Sequence, residues 1–194
     1  MASLVLAGDT SGSITVSAPT VAGSNTQTLV ATTGTLAPIV SGTAQASTSG
    51  TSIDFTNIPS WVKRITVMFD SVSLSGTDNI LVQIGPSGAV ETTGYVSASA
   101  YAISGGASGG ASSTAGFVII VASSGNANVG TMQLVNITGN TWIASCSGSY
   151  TVGTASGVSG GGVKTLSSGP LARLSVTRTG TNTFDAGTIN ILYE

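Results

Sequence analysis

Nowhere in this chain does an apolar period of 3.6 residues survive three turns, because Gly or Ser-Gly breaks every candidate stretch. Thr and Val alternate with small polar residues instead, and turn residues recur at roughly eight- to twelve-residue intervals. A chain with that pattern has few options. Its backbone polar groups must be satisfied between strands, and its apolar side chains, every second one, must meet across packed sheets. The expected fold class is all-β: an antiparallel β-sandwich, jelly-roll-like, with an extended N-terminal arm.

Polarity here comes from hydroxyls rather than ions. The 194 residues include 30 Ser, 28 Thr and 27 Gly, but only five Lys+Arg and seven Asp+Glu, for a net charge of −2. Five cations cannot make a surface that tracks phosphates, which argues against nucleic acid as a partner. There is no His, hence no imidazole base or ligand, and the single Cys146 permits neither an intrachain disulfide nor a Cys zinc cluster. The longest apolar run, around Phe117–Val121, is too short to cross a bilayer, so no membrane insertion is expected. The first residues lack the basic start and long apolar stretch of a signal peptide. Low charge suits a part built into a larger assembly, where neighbours cover much of the surface.

Two regions differ in character. Residues 1–48 carry short alternating pieces, Ile14-Thr-Val-Ser17 and Thr26-Gln-Thr-Leu-Val30, between Gly-, Pro- and Ser-rich joints. They hold too few apolar residues for a core and read as an anchoring arm ending in a linker over 41–50. Ile14, Val16, Leu29 and Val30 are its apolar contacts, able to order by adding strands to a neighbour's sheet. Residues 49–194 read as the sandwich. Val62–Leu74 is its longest strand, with Ile65, Val67 and Phe69 on one face. Gly139-Asn140 closes a hairpin, and the 173–178 and 188–193 strands suit another. Gly/Ser-rich 105–113 and 156–162 read as loops.

No constellation of catalytic residues emerges. The seven carboxylates are scattered, several beside Gly or Asn where an Asp side chain caps a turn. Lys63 and Lys164, the available bases for a Ser nucleophile, have no Ser-x-x-Lys context. Asp78, Asn79 and Asp185 lack calcium-loop spacing, and Gly105-Gly106 and Gly109-Gly110 lack the end of a phosphate loop. The chain therefore reads as no enzyme, with no cofactor and no metal. Cys146 reads as a buried inert thiol. Phe55, Phe69, Phe117 and Phe184 read as core, and Trp61 and Trp142 as core or intersubunit packing. Tyr95, Tyr101 and Tyr150 border the Gly/Ser stretches and are the candidate receptor contacts, because Tyr offers contact area and a hydroxyl at low entropy cost.

Three stretches carry a resemblance. Ser11–Leu36, with its Ser-Gly-Ser-Ile-Thr-Val-Ser-Ala-Pro-Thr opening, is similar to the anchor-side segment of tail-fibre and other structural proteins of tailed bacteriophages, especially those of marine hosts. Ile53–Phe69 (IDFTNIPSWVKRITVMF) and Phe184–Tyr193 (FDAGTINILY) resemble the small β-rich terminal module of the same group. The resemblance implies a virion component: a homotrimeric fibre or spike attached by its N-terminal arm to capsid or tail proteins, with a β-domain for host-surface adhesion, in which a cell-surface glycan is the partner. The alternative it implies is a capsid decoration protein. A collagen-like run, heptads and a repetitive shaft are all absent, which favours a short fibre, head spike or capsid-surface protein over a long fibre.

Overall fold

The structure, a computed structural model, describes residues 3–7, 11–17, 20, 37–103, 105–106, 108–151 and 156–194. The chain divides into two units, Met1–Leu36 and Ala37–Glu194. In the first, β1 (Ser3–Ala7) pairs antiparallel with β2 (Ser13–Ser17), which sets Leu6 opposite Ile14 and Val5 opposite Thr15.

The second unit is an all-β antiparallel sandwich. Its strands are β3 (Val40–Ser41), β4 (Gln45–Ala46), β5 (Ile53–Thr56), β6 (Arg64–Leu74), β7 (Ile80–Gly85), β8 (Tyr95–Ile103) and β9 (Ser108–Ser113). They continue with β10 (Phe117–Ile119), β11 (Asn128–Thr138), β12 (Thr141–Tyr150), β13 (Ser156–Thr165), β14 (Arg173–Arg178) and β15 (Phe184–Tyr193). The small sheet runs β10-β7-β14-β5. The large sheet runs β3-β15-β6-β11-β12-β13-β8-β9, with β4 also on β15. Four pairings nest: β8 with β9, β7 with β10, β6 with β11, and β5 with β14. Nested pairs of this kind are a long hairpin rolled over on itself, the jelly-roll winding. The hairpin extension β12–β13 widens the large sheet between β11 and β8.

Alternation builds the core. Ile65, Val67 and Phe69 of β6 are buried while Arg64 and Asp70 are exposed, as the period-2 pattern predicts. They meet Ile53 and Phe55 of β5, Ile80, Val82 and Ile84 of β7, and Leu174 and Val176 of β14 in one apolar cluster. Near its end β6 bulges. Ser71 adopts φ 54° and Gly187 of β15 adopts φ 98°, and a Cβ on Gly187 would stand 2.5 Å from the Ser71 carbonyl oxygen.

Serine and glycine have a specific task at the other end of the sandwich. Strand β10 is an edge, paired with β7 on one side only. On its open side, Val118 N–H donates to Ser97 Oγ at 2.9 Å and Ile120 N–H to Ser99 Oγ at 2.8 Å, both serines lying buried on β8 of the large sheet. Farther along, Val121 N–H donates to Asn79 Oδ1 at 2.8 Å, and Tyr150 donates its hydroxyl to Ile120 O at 2.7 Å. Opposite the two serines, in register on β13, stand Gly160 and Gly162. A Cβ would lie 2.5 Å from Ser99 Cβ at Gly160 and 2.9 Å from Ser97 Cβ at Gly162. Glycine is what lets the serines sit there.

Three expectations are corrected. The Gly/Ser stretches 105–113 and 156–162 largely form strands, β9 and β13: cross-strand bonding and the need for small neighbours beside β8 override their poor strand propensity. The 173–178 and 188–193 strands are not a hairpin, since β14 lies in the small sheet and β15 in the large one. Residues 41–50 are not a free linker. Here β3 and β4 add to the edge of β15, and Ser47 is wholly buried, its N–H donating to Gly187 O and its hydroxyl to Ala186 O, each at 2.9 Å. The β unit thus begins at Ala37, not near residue 49.

Replacing Ser99 by Ala leaves the buried Ile120 N–H without its acceptor and is expected to cost about 1–3 kcal/mol in urea unfolding. The exposed change Ala100→Ser on the same strand is expected to stay within about 0.5 kcal/mol. Equal effects at the two positions would refute the role assigned to the hydroxyl.

Candidate functional site

The three candidate receptor tyrosines fall in unexpected places. Tyr95 is 1% exposed, its ring edge-on to Phe117 with centroids 5.0 Å apart, and its hydroxyl accepts from Ile84 N–H at 2.8 Å and donates to Glu91 O at 2.9 Å. Tyr150 is buried, bonded through its hydroxyl to the 120–122 segment. Burial pushes both phenols up, Tyr150 to about 12. As placed, neither is available as a surface contact, because the stretches taken for loops beside them are strands of the large sheet. Tyr101 is half-buried, lying across Gly109 of the edge strand and 6.3 Å from the Tyr150 ring. It holds down a glycine edge and keeps partial exposure.

The other singled-out residues have structural surroundings. Trp142 is buried, whereas Trp61 is 38% exposed and leans on Tyr193 with centroids 6.0 Å apart. Cys146 is buried on β12, and burial pushes its thiol up to about 11. Asp78 Oδ2 accepts from Asn182 N–H at 2.8 Å, which spends that carboxylate on a turn. Lys63 Nζ donates to Asn136 Oδ1 at 3.3 Å.

Lys164 is the buried cation of the sandwich. Its Nζ lies 2.5 Å from Glu91 Oε2, donates to Thr93 O at 2.8 Å, and stands 5.2 Å from the Tyr95 ring centroid. The other Glu91 oxygen accepts from the N–H groups of Ser167 and Ser168 and from the Ser167 hydroxyl. Burial alone raises the Glu91 pKa, but the Lys164 ammonium and these donors outweigh it and hold the group at about 2. The arrangement latches the 91–95 and 164–168 segments together. The Lys164 ammonium and both Glu91 carboxylate oxygens already have protein partners.

Two surfaces remain without partners in the chain as described. On the hairpin, Leu6 and Ile14 face each other across the strands and Val16 lies two residues on, on the same face; all are more than half exposed, Ile14 by 70%. Of the four arm residues read from sequence, Ile14 and Val16 therefore lie in an exposed apolar strand, while Leu29 and Val30 lie outside the described residues. The second surface is the outer face of the large sheet. Val96, Val163, Ile143 and Val135 are successive cross-strand neighbours there, on β8, β13, β12 and β11, with Val96 70% exposed. This row was not singled out in the sequence. Its signal is the doublets Tyr95-Val96 and Trp142-Ile143, in which two bulky apolar residues in succession break the alternation and make both faces of the strand apolar.

The small hollow lined by Phe69, Ile119, Asn128, Gly130, Cys146 and Val158 encloses about 20 Å³, room for one water molecule.

Because the folded Glu91 lies below its unfolded value of 4.5, the latch's contribution is complete above pH 4.5 and is lost as pH falls toward about 2. Urea unfolding across that window should show the fall. Lys164→Met, which leaves the mostly covered Glu91 carboxylate with only its Ser167 and Ser168 donors, should cost about 1–3 kcal/mol at pH 7 and shrink the fall. An unchanged acid profile in Lys164→Met would show that the pair does not set it. Comparison of the chain with protein-family models, with curated proteins and with solved structures found no match.

Proposed function

We propose that the chain is a structural component of a tailed-phage particle, a short fibre or head spike whose N-terminal hairpin attaches it and whose β unit projects outward. The sequence resemblance suggests the particle. The observation that carries the attachment is the exposed apolar face of the hairpin at Leu6, Ile14 and Val16. An isolated two-stranded hairpin is at best marginally stable in water, and burying that face against a neighbour supplies the missing contacts. Adhesion to a host glycan is the less supported half of the reading, since Tyr95 and Tyr150 are core residues. The exposed Trp61, leaning on the half-buried Tyr193, and the half-buried Tyr101 are the aromatic surface left for it.

Capsid decoration is the second reading. It is favoured by the uncharged outer face of β11, β12, β13, β8 and β9, which can pack closely among neighbours without desolvating ions.

Ile14→Asp with Val16→Asp changes exposed positions only, so the purified chain should keep its circular dichroism spectrum and thermal midpoint. Reconstitution with particles lacking the protein should then fail, with at least a tenfold loss of bound chain. Wild-type-like attachment of the variant would refute anchoring by the hairpin. Counting copies on the particle separates the two readings: on the order of hundreds indicates decoration, tens a fibre or spike.

A further inference from the structure

We propose that the outer face of the large sheet, from β11 through β12, β13 and β8 to β9, is the surface through which copies of this chain pack on one another. The inference rests on the reading of the chain as a repeated structural part and names the surface that the repetition uses.

Charge is the first argument. Along these five strands the only ionisable Lys, Arg, Asp or Glu is Lys164, and it points inward to Glu91. The outward positions are the aliphatic row Val135–Ile143–Val163–Val96 and, beside it in register, Gln133–Ser145–Gly161–Ala98. Identical faces brought together usually confront like charges, and this face has none to confront. Charge returns at its border: Arg64 of β6, in register with Val135, is paired with Glu194. An apolar centre with an ionic rim is the composition of a protein–protein interface.

Area is the second. Five strands at about 4.8 Å spacing and about 20–30 Å length cover roughly 650 Å² per copy, or about 1,300 Å² for two. A stable specific interface needs about 1,200 Å² or more. Small outward residues beside the row leave the face flat enough for a second sheet to approach. Aromatic side chains are absent from its outward rows, so a sugar finds no stacking platform there. The occupant that fits is a second copy of the same face. Both a two-fold pair and a three-fold prism bury it, and the measured mass tells which.

The test is sedimentation equilibrium on the full chain between about 1 and 100 μM. Wild type should weigh two or three times 18.9 kDa. Val163→Lys should weaken self-association at least a hundredfold. Ser145→Lys, which adds charge but removes no apolar group, should do the same, which guards against a folding defect in the first variant. Thr56→Lys, exposed on the small sheet, should leave the mass unchanged. A monomeric wild type at 100 μM overturns the proposal. So does an oligomer that survives both face variants, or one that Thr56→Lys dissolves, since another surface then makes the contact. None of these results bears on attachment through Ile14 and Val16, which is read separately on particles.

Discussion

The N–H groups of Val118 and Ile120 have no strand beside them to accept their hydrogen bonds, and a buried N–H left unpaired costs a kilocalorie or more. Two serine hydroxyls from the opposite sheet solve the problem. The solution has geometric consequences. For Ser97 and Ser99 to reach β10, the large sheet must come close to the edge of the small one, so the strand next to β8 can carry almost nothing at the facing positions. Gly160 and Gly162 meet that demand. The composition of the chain thus follows from how its two layers are joined. Hydroxyls replace part of the backbone ladder, and glycines clear the space for them.

The same device explains where sequence reading succeeds and where it stops. The β6 strand is legible because Ile65, Val67 and Phe69 alternate with polar residues, and the β11–β12 hairpin because Gly139-Asn140 separates two alternating runs. The all-β class and the sandwich follow from such segments. Strands β9 and β13 are not legible. SGGASS and SGVSGGGVKT have the composition of loops, and only the neighbouring strand, which a linear pattern does not reveal, makes them strands. That error propagates to the site. Tyr95, Tyr101 and Tyr150 look like loop-border residues only while their neighbours are taken for loops. With β8, β12 and β13 paired, Tyr95 and Tyr150 become inward residues whose hydroxyls satisfy backbone groups at 84–91 and 120–122. Ile14 and Val16 lie two residues apart on β2, each more than half exposed.

Among the described residues, several of the few ions have a defined place. Glu91 and Lys164 are buried together, Arg64 and Glu194 close the chain end against β6, and Asp78 caps a turn. Little is left for the outer face of β11, β12, β13, β8 and β9. On a free protein such a face risks association. In the repeated part proposed here, association would be the use, and hydroxyls would keep the rest of the surface wet at low desolvation cost when neighbours cover it.

Magnitudes link the two exposed surfaces. Leu6, Ile14 and Val16 are 54%, 70% and 60% exposed, so completing their burial yields roughly 1–2 kcal/mol each, about 4 kcal/mol in all. One arm held by that alone would dissociate in the millimolar range. Backbone bonds added at a neighbour's sheet edge strengthen it, but ordering the arm takes back part of the gain. Firm attachment therefore calls for several arms carried on one body. Once one arm is bound, the others act at high effective concentration, and avidity rises by about 10²–10⁴ without a new kind of contact. In the proposed assembly, self-packing through the large sheet would supply that body. The apolar patch on the hairpin can then stay small enough that a single free chain does not adhere indiscriminately, while an assembled one binds and stays.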